Sequence, residues 1–142
     1  MRKTLLCAIF AMFTLCAFAQ EHYTQGPVWR VTLIKVKPIA MDAYMTSLRQ
    51  STKPVLEEEK KQGIIVDYKV FLKSTQHDPN DWTIALAVQY KSWAAMDGEP
   101  AKAEAVRDKV LGGKQPAQQL AEKRVDMREI VTSDLMQEIM LK

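Results

Sequence analysis

Seven side chains in this 142-residue sequence are spaced so that they could line a site for a small ligand. Residues two apart on an extended strand point to the same side, as Arg30 and Thr32 would, and as Asp67 and Lys69 would. A few polar groups that converge among apolar ones are what a small-molecule site requires. The sequence therefore predicts a ligand-binding set made of Arg30, Thr32, Asp67, Lys69, Phe71, Thr83 and Gln89.

The charged pair in this set has a second interpretation. Asp67 and Lys69 could form an ion pair across a subunit interface, or both could face water, where such pairs contribute little to stability. The pattern by itself does not choose between these alternatives.

Histidine is scarce, since only His22 and His77 occur. His77 is followed by Asp78 in a polar turn, where it could act as a base or be an exposed loop residue. No serine can be placed beside either histidine, so a Ser-His-Asp nucleophile is not predicted. We assign no catalytic residue and expect no cofactor.

The first nineteen residues have the pattern of a secretory signal peptide. Arg2 and Lys3 precede an apolar run over residues 5–18, and residues 17–19 form a small-x-small cleavage site. The apolar run is too short to be a convincing membrane span. We expect residues 1–19 to be removed and the protein to be exported to a periplasm or to the extracellular space.

Removal of the leader would change the cysteine content and the net charge of the chain. Cys7 and Cys16 both lie in the leader, so residues 20–142 contain no disulfide and no thiolate metal site. Without Arg2 and Lys3, 18 basic residues stand against 17 acidic ones, and a near-neutral chain has no electrostatic footprint for nucleic acid. We therefore expect no nucleic-acid partner, and no membrane partner once the leader is gone.

Cleavage after Ala19 would make His22 the third residue of the mature chain. A free amine, two backbone amides and a third-position imidazole form a square-planar set that suits Cu(II) or Ni(II). Gln20 is prone to cyclise and block that amine. We therefore predict no metal site, and copper or nickel binding at His22 stays an open alternative.

Apolar periodicity and turn residues predict six elements after a loose N-terminal arm at 20–27. Pro54 should kink or break the helix that contains it near residues 51–53, and the final element could equally be the end of a helix. In chain order, the elements are a strand over 28–37, a helix over 39–62, strands over 64–73 and 82–91, a broken helical region from Ser92 to about Val131, and a strand over 134–142.

This order predicts a ferredoxin-like α+β fold, βαββαβ, with a four-stranded antiparallel sheet, helices on one face and a broken second helical region. The two central strands each have one face of large apolar groups, which should lie under the helices. Their other faces are mixed, and Ala85 and Ala87 there suggest a lack of space. A copy of the same subunit could cover this second face in a two-fold homodimer.

Three segments give the chain a family resemblance: Trp29 to Pro38, Lys60 to Ile65 and Gln89 to Trp93. They resemble the dimeric α+β barrel superfamily, in which two ferredoxin-like subunits close their sheets into a barrel. The resemblance covers most of residues 28–142 and implies that the seven predicted ligand-binding side chains point into that barrel. The haem-degrading branch uses a histidine on the second helical region, and residues 92–131 contain none.

These observations favour an exported homodimer that binds a small, largely apolar molecule between its sheet and its helices. An alternative is a cofactor-independent monooxygenase- or isomerase-like enzyme that uses Asp67, His77 or a tyrosine as its proton carrier. A second alternative is a structural or partner-binding dimer with a filled barrel. A cavity of several hundred cubic ångströms would argue against this last alternative.

Overall fold

The computed structural model describes residues 22–142. The predicted signal peptide at 1–19, and Gln20 and Glu21 of the possible copper site, lie outside the described residues. No helix in the described part is long and apolar enough to cross a membrane. The chain divides into two compact units. Among the described residues, one unit consists of 22–26 with Ile139–Lys142, in which the Lys142 backbone N–H donates to the His22 carbonyl at 3.1 Å, and the other is Pro27–Glu138.

Strands and helices follow the predicted order. A 3₁₀ turn at Pro38–Ala40 precedes the first helix, a π turn at Leu48–Thr52 divides that helix, and a second 3₁₀ turn lies at Trp93–Met96. The main elements are β1 (Tyr23–Val36), α1 (Met41–Ser47), α2 (Lys53–Lys61), β2 (Asp67–Leu72), β3 (Ile84–Tyr90), α3 (Glu99–Leu111), α4 (Lys114–Met127) and β4 (Arg128–Leu141).

The four strands form one antiparallel sheet in the order β2-β3-β1-β4, which confirms the predicted ferredoxin-like βαββαβ class. β1 lies beside β3, with Val28 opposite Tyr90 and Ile34 opposite Ile84. The second helical region is broken as predicted. Gly112 ends α3 in the left-handed region, with a φ of 85° that favours glycine.

The core lies between the helices and one face of the sheet. One cluster joins Leu56 of α2 to Val28, Val88 and Tyr90 of the sheet. A second cluster joins Tyr44 and Leu48 to Ile34 and Ile84, with Leu86 packed against both clusters. The helices therefore cover the face that carries the even-numbered residues of β1 and β3.

The predicted break near Pro54 takes the form of the π turn. Proline has no N–H, and its ring clashes with the carbonyl four residues earlier in a regular α-helix. The chain widens just before Pro54, where the Lys53 backbone N–H donates to the Leu48 carbonyl, five residues back. The helix thus continues across Pro54 as two segments.

Two element boundaries differ from the predictions. The arm predicted at 20–27 is already strand from Tyr23 onward, and β4 begins at Arg128 where a helix was predicted to continue to about Val131. The reason is that Ile130, Val131 and Thr132 are β-branched and favour extended backbone. The last nine residues join the sheet through Leu141, as the strand prediction for 134–142 required.

The core assignment gives a stability prediction. Ile84 is fully buried and Val70, on the same face of the sheet, is 44% exposed. Ile84→Ala should lower the free energy of unfolding by about 3 kcal/mol, because it leaves a cavity in the core. Val70→Ala should cost less than about 1 kcal/mol. Urea denaturation of both variants at one protein concentration tests this, and equal losses would contradict the assigned core.

Candidate functional site

The outer face of the sheet, opposite the helices, contains four of the seven predicted ligand-binding residues. Side chains of directly paired residues lie on the same face of a sheet. The pairing with β3 places Asp67, Lys69, Phe71 and Gln89 together there. Three rows cross β2, β3 and β1 on this outer face: Asp67–Gln89–Trp29, Lys69–Ala87–Val31 and Phe71–Ala85–Leu33.

The charged residues of the outer face already have neighbours within the subunit. Lys60 of α2 donates to Asp67 Oδ1 at 2.8 Å, and this hydrogen bond is the main reason that the pKa of Asp67 is lowered. The Lys69 ammonium lies 5.5 Å from the centroid of the Trp29 ring. Asp67 is thus paired with a helix residue of its own subunit, an arrangement that the sequence analysis did not consider.

Arg30 and Thr32 were predicted to point the same way as these four residues, and that prediction is wrong. Arg30 lies opposite Val88 and Thr32 lies opposite Leu86, so both side chains are on the helix-covered face. The polar character of Arg30 and Thr32 suggested the mixed face, but pairing with β3 turns Trp29, Val31 and Leu33 outward instead. Thr32 Oγ1 lies 2.9 Å from Ser133 Oγ.

Thr83 precedes β3, and its hydroxyl is used by the backbone of β1. It accepts a hydrogen bond from the Val36 N–H at 3.0 Å and donates to the Ile34 carbonyl at 3.2 Å. These bonds extend the pairing of the two strands by one residue. The Thr83 hydroxyl therefore joins strands in this structure instead of standing free on a ligand-facing surface.

Arg30 forms a polar cluster that the sequence analysis missed. Its guanidinium donates to both carboxylate oxygens of Glu99, at 3.2 and 3.0 Å, and to the Tyr90 hydroxyl at 2.7 Å. The Tyr90 hydroxyl in turn donates to Glu99 Oε1 at 3.1 Å. Glu99 and Tyr90 are buried, and a buried carboxylate requires such a bidentate partner.

Local sequence places Glu99 under the sheet. Gly98, with a φ of 69°, turns the chain into α3, and Pro100 suits the first turn of a helix because its missing N–H has no partner there. The sequence analysis placed Glu99 only within the broken helical region from Ser92 to about Val131 and gave it no role. The detectable signal was an acidic residue in a first helical turn, a position that the helix dipole favours.

Glu59 is a second buried carboxylate near this cluster, and it is only 7% exposed. Burial, together with repulsion from Glu99, raises its pKa to about 7, although the positive charge of Arg30 opposes the shift. The run of three glutamates at 57–59 does not by itself indicate that one of them is buried. Because Glu59 is three residues after Leu56, it shares the inward side of α2.

A cavity of about 670 Å³ lies where α4 meets the ends of β1 and β4. We call it the α4 groove. Its lining combines four apolar residues with three basic residues and one acidic residue: Pro38, Ala121, Val125 and Ile130, with Lys35, Lys37, Arg128 and Glu129. Val125 is 73% exposed and Ile130 is 53% exposed, so its apolar wall is open to solvent.

A second cavity of about 680 Å³ lies between α2 and α3 and has a more polar wall, which includes Gln62, Lys102 and Lys109. Within residues 22–142, no three His, Asp or Glu side chains are arranged to hold a metal ion. His77 is exposed in the loop before β3, where its backbone N–H donates to Asp81 at 2.9 Å.

Comparison with known proteins gives structural similarity at low sequence identity. HapK from Hahella chejuensis matches with a TM-score of 0.53 and 12% identity, over 78% of this chain and 91% of HapK. A NIPSNAP family protein with unknown function from Agrobacterium tumefaciens strain C58 matches with a TM-score of 0.50 and 16% identity, over 85% of this chain and 92% of that one. A dimeric protein of unknown function and ferredoxin-like fold from Bacteroides fragilis has a TM-score of 0.46 and 13% identity, over 83% of this chain and 100% of that one.

No protein-family model and no curated protein matches the sequence. At these identities the similarity concerns the fold, and chemistry cannot be transferred with it. The chain has the ferredoxin-like α+β fold that its resemblance to the dimeric α+β barrel superfamily led us to expect.

Proposed function

We propose that this protein is an exported homodimer, and that each subunit binds a small, largely apolar molecule in the α4 groove. The observation that carries this proposal is the groove itself, about 670 Å³ in volume and walled by Pro38, Ala121, Val125 and Ile130. Ligand sites typically have volumes of roughly 300–1,000 Å³ and mostly apolar walls. A groove of this kind favours a binding protein over a purely structural dimer.

The exposed apolar side chains give the driving force for binding. Val125 and Ile130 expose most of their surface to water at the wall of the groove. Covering such a side chain is favourable by roughly 1.5–3 kcal/mol. A ligand with an apolar body would therefore gain free energy by covering both residues. A ligand in the groove would lie between α4 and the sheet, which is the kind of position that the sequence analysis predicted. None of the seven predicted ligand-binding residues lines the groove.

The outer face of the sheet supports the homodimer. Ala85 and Ala87, both buried, lie at its centre, and the apolar residues Trp29, Val31, Leu33 and Phe71 lie around them. No helix of the described chain packs there, because the two core clusters use the other face. A contiguous apolar patch on a sheet marks an interaction site, and a two-fold axis lets the same patch cover itself. Export rests on the leader sequence at 1–19.

A second candidate function is a cofactor-independent monooxygenase- or isomerase-like enzyme, and Glu59 is the observation that favours it. A carboxylate whose pKa is about 7 can give or take a proton near neutral pH. Asp67 is less suited to this role, because its pairing with Lys60 lowers its pKa. The proton carrier of an enzyme built on this fold would be Glu59, in place of the predicted Asp67, His77 or tyrosine.

Binding in the groove can be tested with decan-1-ol, a neutral molecule with an apolar chain. Titration calorimetry should show saturable binding to the purified protein. Val125→Asn should weaken this binding roughly five- to tenfold, because it removes one apolar side chain from the wall. Val131→Asn, next to Ile130 in β4 but outside the lining, is the matched control. Equal weakening by both variants, or no saturable binding, would contradict the proposal.

The dimer can be tested by native mass spectrometry. Phe71 lies on the outer face and is 51% exposed, whereas Leu72 lies on the opposite face and is 64% exposed. Phe71→Asp should convert the dimer to a monomer, because the new carboxylate would be buried unpaired at the interface. Leu72→Asp should leave the dimer intact. A monomeric unmodified protein would overturn the assignment.

The raised pKa of Glu59 gives a pH-dependent stability. The folded state holds this proton up to about pH 7, whereas the unfolded chain releases it near its ordinary value of 4.5. The stability that the protonated form gives is therefore complete below about pH 4.5 and is lost as the pH rises to about 7. Glu59→Gln should raise the free energy of unfolding by roughly 1–3 kcal/mol at about pH 8 and change it little at about pH 4.

Urea denaturation at both pH values, at one protein concentration, measures this difference. Glu57→Gln, two residues away on the exposed side of α2, is the control and should show no such dependence on pH. Equal free energies of unfolding for Glu59→Gln and the unmodified protein at about pH 8 would contradict the prediction. They would show that ionisation of Glu59 does not destabilise the folded state.

A further inference from the structure

We infer that the α4 groove selects a small amphipathic anion, a carboxylate with an apolar tail, over a neutral molecule of the same shape. The inference rests on the proposed function, since it names the chemical class of the ligand for the same groove.

The groove concentrates positive charge. Lys35 and Lys37 come from the end of β1, and Arg128 is the first residue of β4. Glu129 is the single acidic residue among the described side chains of the lining. The lining therefore carries two more positive than negative charges, although the chain after the leader is close to neutral.

These cations have no anionic partner in the described chain. The Lys35 ammonium donates to the neutral Asn80 amide oxygen at 2.9 Å. The Arg128 guanidinium lies 5.6 Å from the centroid of the Tyr44 ring, and its buried Nε has no hydrogen-bond partner. Across residues 22–142, no carboxylate forms an ion pair with Lys35, Lys37 or Arg128. An anion in the groove would supply the missing charge.

Arg124 lies close enough to Arg128 for their charges to interact, and it adds to this positive field. Its guanidinium donates to the Ser47 hydroxyl and carbonyl and to the Thr52 hydroxyl, at 2.9, 3.2 and 2.8 Å. All three acceptors are neutral, so the charge is not compensated. Burial, and in smaller part the charge of Arg128, lower the pKa of Arg124.

Another partly buried arginine shows the contrast. Arg30 also lies in the layer between sheet and helices, and there Glu99 neutralises it with two hydrogen bonds. The same chain thus balances one internal cation and leaves Arg124 and Arg128 without a counter-ion. An uncompensated cation that is partly removed from water is unfavourable. An external anion bound in the α4 groove beside Arg128 would compensate this charge.

The apolar and charged parts of the lining suit the two ends of one molecule. Val125 and Ile130 offer apolar surface, and Lys37 and Arg128 offer hydrogen-bond donors to a carboxylate. A carboxylate with a chain of several carbons matches both parts and fits within about 670 Å³. A neutral molecule with the same chain would use the apolar wall alone.

Decanoate and decan-1-ol separate the two claims, because they share a chain and differ in charge. Titration calorimetry of the purified protein at neutral pH and low salt should show that decanoate binds roughly fivefold or more tightly than decan-1-ol. Lys37→Gln should weaken decanoate binding roughly three- to fivefold and leave decan-1-ol binding unchanged. Lys91→Gln, an exposed lysine after β3, is the matched control and should change neither.

Each outcome decides one claim. Equal affinities for the two probes, or equal effects of the Lys37 and Lys91 variants on decanoate, would overturn the anion inference and leave the proposed function standing. Binding of neither probe would overturn both. Val125→Asp is a second test, since this exposed position tolerates a carboxylate that should expel decanoate at least tenfold more effectively than Val125→Asn does.

Anionic lipids also join a negatively charged group, a phosphate in place of a carboxylate, to apolar chains. Sedimentation with phosphatidylcholine vesicles that contain phosphatidylglycerol distinguishes this source. We expect the protein to stay in the supernatant. Pelleting with these vesicles, together with no saturable binding of free decanoate, would identify a lipid surface as the anion and overturn the inference of a free small ligand.

Discussion

The pairing of β1 with β3 is the constraint on which the rest of the structure depends. Val28 faces Tyr90 and Ile34 faces Ile84, and these contacts fill both core clusters. Because side chains alternate along a strand, a shift of one residue would exchange the two faces of β1. The register therefore decides at once that Arg30 lies beneath the helices and that Trp29 lies on the outer face.

Placing Arg30 under the helices requires a partner there, and α3 provides it. Glu99 and Tyr90 hold the guanidinium by hydrogen bonds, so a charged residue is accommodated beside an apolar core. Burial, and after it repulsion from Glu99, raise the pKa of Glu59 on the neighbouring helix. One β-strand register thus leads to a buried polar cluster and to a carboxylate that titrates near neutrality.

The subunit leaves two surfaces incomplete, and they differ in chemistry. The outer face of the sheet is apolar with small residues at its centre, and its few charges are engaged within the subunit by Lys60 and Trp29. The α4 groove combines apolar residues with cations that have no anionic partner among residues 22–142. An apolar, largely neutral surface suits another copy of the chain, whereas a cationic groove suits a small molecule of opposite charge.

The order of the elements, the antiparallel sheet, the break at Pro54 and the strand at the end of the chain were predictable from the sequence, because periodicity and turn residues act locally. Four of the seven predicted ligand-binding residues lie together for the same reason, since alternation within β2 and β3 is local. Only the tertiary structure decided which side chains of β1 face the helices. It also decided the partner of Asp67, the burial of Glu59 and Glu99, and the groove at α4. Each of these features depends on contacts between elements that are distant in sequence, and local sequence patterns do not predict such contacts.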